Sequence, residues 1–87
     1  MSHKRKDIQG SAADFRETVN RKVADLIRRL RAEQVISQQD LSLELGRGPK
    51  YIWRIENLYS EIDLFEFVEI MEALGVDPPA ALKEIAD

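Results

Sequence analysis

Between Ser37 and Asn57 the chain reads SQQDLSLELGRGPKYIWRIEN. Two short amphipathic segments flank a glycine-bearing break, and this pattern leaves few ways to fold. In the first segment Leu41 and Leu45 are four residues apart, so they share one helical face. The second is expected to open with Gly48 as N-cap and Pro49 at the first helical position, where a missing N–H does no harm. Ile52 and Ile55, three apart, then face inward. Two helices joined by so short a turn form a helix-turn-helix, whose second helix can enter a DNA major groove. Ser37 reads as the N-cap of the first, supported by Asp40, so Gln38 and Gln39 fall in its first turn, where amides and backbone N–H groups suit a phosphate.

A chain of 87 residues accommodates one small domain. It has no cysteine, which removes disulfides, thiolate metal sites and a cysteine nucleophile and is compatible with a reducing cytoplasm, the expected location. No apolar run approaches a membrane span, and the start MSHKRK lacks the apolar centre of a signal peptide. The net charge of −3 argues against a nucleic-acid partner until its distribution is considered. Residues 1–54 carry +5 and residues 55–87 carry −8. DNA responds to the local surface it meets. The alternative is that basic and acidic helices merely solubilise one another.

Residues 1–10 read as a flexible basic arm, either solvated or reaching the DNA backbone or minor groove. His3, the only histidine, has no co-ligands near it in sequence. The rest, residues 11–87, reads as the helix-turn-helix domain. Ser11 and Asp14 form a capping box for a long first helix ending near Ala32, with Phe15, Val19, Val23, Leu26 and Leu30 as its apolar stripe. Its first half, Phe15 and Val19, packs either within the chain or on a partner. A second capping box, Asp63 with Glu66, starts a helix with Leu64, Phe67, Val68, Met71 and Leu74 inward and Ile70 on the flank, stopped by Gly75. Residues 80–86 form a last short helix with Leu82 and Ile85 inward. No strand pattern or repeat is visible, so the expectation is an all-α, compact five-helix domain with a long first helix.

With Ile52 and Ile55 in the core, Pro49, Lys50 and Arg54 lie on the outward edge of the second motif helix. Lys50 and Arg54, four apart, can donate to guanine O6 and N7 or to phosphates. Arg has the planar fork for bidentate readout, whereas Lys acts as a point charge. Tyr51 can touch a thymine methyl or a phosphate, and Arg47, in the turn, is a phosphate partner. An ordinary basic surface helix would carry the same two cations.

The run from Ile36-Ser-Gln-Gln-Asp-Leu41 through Leu45-Gly46, then Ile52-Trp-Arg-Ile55-Glu56-Asn57 and later Glu72-Ala-Leu-Gly-Val76, resembles the XRE family, which includes the lambdoid phage repressors and Cro proteins. The resemblance covers roughly residues 26–77 and implies a lambda-repressor-like five-helix DNA-binding domain. It implies that Gln38 contacts phosphate and orients a neighbouring base-reading side chain, that Pro49, Lys50 and Arg54 occupy base-reading positions, and that Asn57 donates to phosphate. It further implies a structural ion pair between Arg31 and Glu56. The departures are informative. Ser42 stands where the family has a small Ala, and Leu58 where Gly usually follows Glu-Asn. Pro49 has no donor for a base, which leaves more to Lys50, Arg54 and DNA shape. Trp53 and Phe65 stand at usually polar surface positions. They contact a second protomer, a partner protein or DNA sugars, or else pack locally on Tyr51, Tyr59 or the first helix.

The sequence therefore points to a DNA-binding transcriptional regulator, a dimeric repressor on a palindromic operator, with double-stranded DNA as partner and no cofactor or metal. The alternative is a protein-interaction module on the same scaffold, an antitoxin or anti-repressor using Trp53, Phe65 and the acidic last helices. An enzyme is disfavoured: the sequence has no Gly-rich phosphate loop, clustered histidine or activated nucleophile.

Overall fold

The computed structural model describes residues 11–87, and the arm expected at residues 1–10, His3 included, lies outside them. Five helices follow one another: α1 (Ala12–Gln34), α2 (Gln38–Glu44), α3 (Tyr51–Glu56), α4 (Leu64–Ala73) and α5 (Pro78–Ala86). The described residues contain no strand. The all-α five-helix expectation therefore holds.

The helix starts follow the polar residues expected to cap them. The Asp14 N–H donates to Ser11 Oγ at 3.1 Å while the Ser11 N–H donates to the Asp14 carboxylate. Asp63 and Glu66 repeat this reciprocal arrangement at the start of α4. Ser37 Oγ accepts from the Asp40 N–H at 2.9 Å, starting α2.

The core is one cluster in which Ile27, Leu41, Ile52, Ile70 and Met71 are completely buried. α3 lies against both α1 and α2, while α5 closes the domain against α4 and α1. Only the C-terminal half of α1 is buried, through Val23, Ala24, Leu26, Ile27 and Leu30. Val19 packs at the edge of the core, whereas Phe15 remains 52% exposed, one turn before it. The two residues expected to share a fate are thus separated.

Three boundaries or faces differ from the expectation. α1 continues two residues past Ala32, to Gln34. In α4 the inner face is Phe67, Ile70, Met71 and Leu74, at i, i+3, i+4 and i+7. Ile70 is central rather than flanking, and Leu64, the first residue after the cap, is exposed instead of inward. α5 begins earlier than expected, with Asp77 as N-cap and Pro78 and Pro79 in its first turn. This register turns Ala81 and Ile85, four apart, onto the core and leaves Leu82 exposed.

Four helices end in the same way. A residue in the left-handed region reverses the chain, and the N–H after it returns to the carbonyl five residues back: Ile36 to Arg31, Arg47 to Ser42, Tyr59 to Arg54 and Val76 to Met71. The reversing residue is glycine at Gly46 and Gly75 but Val35 (φ 55°) after α1 and Leu58 (φ 65°) after α3. A side chain in that region costs about 1–2 kcal/mol, and a β-branched one is the least comfortable. Val35 is 91% exposed, so its side chain recovers almost nothing by burial, whereas Leu58 is 38% exposed and recovers part. Val35→Gly is therefore expected to stabilise the domain by roughly 0.5–1 kcal/mol after the added chain entropy of glycine is subtracted, raising the melting temperature by about 2–8 °C. Leu58→Gly should give a smaller gain. Thermal unfolding of the three proteins checks this, and a lower melting temperature for Val35→Gly would refute the strain at that position.

Candidate nucleic-acid interface

α3 has only six residues and no side-chain cap of its own. Helices this short are unstable alone, so its position must come from outside it. Ile52 and Ile55 anchor its inner face in the core. At its start the Ile52 N–H donates to Ser42 Oγ at 3.0 Å, and the same hydroxyl donates to the Gln38 carbonyl at 2.7 Å. Ser42 is fully buried, so it satisfies a first-turn N–H of α3 that no water reaches. In sequence Ser42 differs from the family's Ala only as a slightly larger side chain. Its role as a cap supplied from α2 emerges once the two helices cross.

At the other end Glu56 is 3% exposed and its carboxylate is enclosed. Arg31 donates to it through two nitrogens, at 2.6 and 2.9 Å, and spends its third on the Ile36 carbonyl. Gln38 adds a donor at 2.9 Å, and Arg28 donates to the Glu56 carbonyl at 2.8 Å. The ion pair implied by the family resemblance is present, and Gln38 joins it. The Gln38 amide nitrogen is thus turned onto Glu56.

The opening of α3 differs from the expectation. The Tyr51 N–H bonds the Gly48 carbonyl, making residues 48–51 a turn that leads into a helix starting at Tyr51. Pro49 occupies the second turn position, which its fixed φ suits as well as it suits a helix start. Lys50 rather than Gly48 is the N-cap residue. The Lys50 carbonyl still accepts from the Arg54 N–H, so the i, i+4 relation survives. Pro49, Lys50 and Arg54 are all exposed, and among the described residues no acid pairs with Lys50 or Arg54. Gln39 is exposed in the first turn of α2. Asn57 is exposed, its amide folded back onto the Trp53 carbonyl at 2.9 Å.

Arg47 and Tyr51 are engaged by α4. The Arg47 guanidinium sits 4.7 Å from the Tyr51 ring centroid and donates to Glu66 at 3.3 Å and Glu69 at 2.8 Å. The Tyr51 hydroxyl donates to Glu66 at 2.6 Å. Trp53 stacks on Tyr59, their centroids 5.5 Å apart, which accounts for the indole by local packing. Phe65 has no such cover, at 78% exposed. Sequence spacing does not reveal the partners on α4, which come from a helix lying after an irregular loop.

These contacts shift titration. Glu66 is held below the ordinary carboxylate range, chiefly by the Tyr51 hydroxyl and then by the Asp63 N–H, against an opposing effect of burial, with Arg47 adding a lesser lowering. Burial above all, then Glu66, pushes the Tyr51 phenol up. The unfolded chain takes up a proton at Glu66 before the folded one does, so this stabilisation is complete above the ordinary carboxyl value of 4.5 and is lost as pH falls through the lower folded value. The stability difference between the parent and Glu66→Gln should be constant from neutral pH down to about pH 5 and shrink below it. Denaturant titrations across that range check this, and a difference independent of pH would refute it.

The described residues include no group of three or more His, Cys, Asp or Glu able to hold a metal ion and no helix long and apolar enough to cross a membrane. Residues 27–80 match the helix-turn-helix family model. Among solved structures the chain is similar to the clp gene regulator ClgR from Corynebacterium glutamicum, with 20% identity and a TM-score of 0.70 over 78% of this chain and 72% of that one, a likeness of fold. No curated protein matches it. The matched span includes the two motif helices, the Arg31–Glu56 pair and the exposed edge of α3, and the chain belongs to the XRE type of the helix-turn-helix family of DNA-binding domains.

Proposed function

We propose that the protein is a cytoplasmic transcriptional regulator that binds a palindromic DNA operator as a homodimer and acts as a repressor. One observation carries the reading: Lys50 and Arg54 stand exposed, without an acidic partner among the described residues, on an edge of α3 that Ser42 and Glu56 fix from both ends. A short helix held this way presents two cations at a defined spacing, as reading base edges in the major groove requires. Arg54 supplies bidentate readout and Lys50 a point charge, with Gln39 and Asn57 toward the backbone and Pro49 contributing shape alone. A domain this small makes few base contacts, and two-fold pairing doubles them. The exposed apolar residues available for pairing include Phe15 and Phe65; Val19 is packed at the core edge and Trp53 is stacked on Tyr59.

A second reading is a protein-interaction module, an antitoxin or anti-repressor. It is favoured by a surface depression lined, among the described residues, by Leu64, Phe65 and Val68, since apolar surface of this kind marks protein contacts.

Duplex binding measured over a range of salt concentrations tests the first reading. The parent should bind with a steep salt dependence, and Lys50→Ala combined with Arg54→Ala should weaken binding about 10- to 100-fold and flatten the slope by roughly two phosphate equivalents. Absence of binding at low salt would leave the second reading. For the dimer, sedimentation of the parent, Phe15→Ala and Phe65→Ala should show a concentration-dependent dimer that at least one substitution weakens. Monomers at every concentration for all three would remove the dimer.

A further inference from the structure

Arg47 occupies the turn between the two motif helices, yet its guanidinium is directed at α4 rather than outward. Glu66 and Glu69, one helical turn apart, both accept from it, and the Tyr51 ring lies under it. Glu66 is itself immobilised, because one carboxylate oxygen accepts from the Asp63 N–H in the capping box and the other from the Tyr51 hydroxyl. Glu69 is half exposed and makes no other hydrogen bond among the described residues than that to Arg47. The cation best placed by sequence for a DNA phosphate is therefore already neutralised by two acids of the same domain. Lys50 and Arg54, a few residues further on, are not.

We infer that Glu69, with Glu66, withholds Arg47 from the DNA backbone and so lowers sequence-independent affinity, making discrimination depend more on Lys50 and Arg54. This rests on the DNA-binding reading of α3. The physics is competitive: a phosphate and a carboxylate offer the guanidinium similar charge-assisted hydrogen bonds, and the carboxylates are intramolecular and always present. Backbone contacts carry no sequence information, so a contact withheld from every sequence alike weakens binding to unrelated DNA. Glu69 is a specificity-determining residue that acts through Arg47 and need not touch the nucleic acid.

The test uses the whole chain and a pool of random-sequence duplexes, with four proteins: parent, Glu69→Gln, Arg47→Gln and the double variant. Glu69→Gln is chosen because Glu69, unlike Glu66, neither caps α4 nor holds Tyr51. Melting curves establish that all four are folded. Glu69→Gln should tighten binding to the pool about three- to tenfold and steepen the salt dependence by roughly one phosphate equivalent. The same substitution made in Arg47→Gln should have little effect, since no cation remains to release. Equal tightening in both backgrounds would mean that Glu69 acts only through its general negative field, and the inference would fail while DNA binding stood. Weaker binding by Glu69→Gln would likewise overturn it. A parent that binds no duplex at low salt would overturn the reading of α3 and this inference with it.

Discussion

The buried carboxylate of Glu56 is the constraint on which the arrangement of the first three helices depends. Removing a carboxylate from water is expensive unless the surrounding groups supply the hydrogen bonds that water gave it. Here Arg31 on α1 and Gln38 on α2 supply them, with the Arg28 cation alongside at 3.5 Å. The donors come from two helices and the acceptor from a third, so the carboxylate is satisfied only when all three take one relative orientation. An apolar residue at position 56 could be buried in many orientations. The ion pair therefore fixes geometry more than it adds stability, and what it fixes is the helix that carries Lys50 and Arg54.

Ser42 performs the matching task at the other end of α3 with a single hydroxyl. It accepts from the Ile52 N–H, which would otherwise be a buried donor without a partner, an omission worth about 1–3 kcal/mol. By donating at the same time to the Gln38 carbonyl, it ties the first turn of α2 to the first turn of α3. Gln38 consequently sits in both latches, through its carbonyl at one and its amide at the other. A six-residue helix with no cap of its own is thus held at both ends, and it stays short enough to present one edge.

Those parts of the fold that depend on neighbours along the chain are legible in the sequence alone. The caps at Ser11, Ser37 and Asp63, the stop at Gly75 and the burial of Leu41, Ile52 and Ile55 follow from local hydrogen bonding and helical period. Arg31 and Glu56 are legible only through family resemblance, because nothing local pairs residues 25 apart. Leu64 and Leu82 fit the inward period yet stand exposed, because an apolar residue at a helix end keeps the period whether or not another element lies over it. Pro49 fits a helix start and a type I turn alike, because both demand the same φ, and only the Tyr51 N–H bond to the Gly48 carbonyl assigns it to the turn. The acids that hold Arg47 and Tyr51 lie beyond the irregular loop after α3, and no periodicity connects them to the turn.

The charge asymmetry of the sequence takes on a different meaning in three dimensions. Arg16 pairs with Glu61, Arg28 and Arg31 with Glu56, Arg29 with Glu84, and Arg47 with Glu66 and Glu69. Five arginines of the basic half are thus matched by acids of the acidic half, and mutual neutralisation describes much of that surface correctly. A count over residues 1–54 overstates the positive field that DNA would meet. The field is set by the cations the acidic half leaves unmatched, and on the turn and short helix that the two latches hold in place these are Lys50 and Arg54. An acidic chain can therefore present a basic edge, provided its acids lie where they pair with the structural arginines. In this domain α3, the loop after it, α4 and α5 put them there.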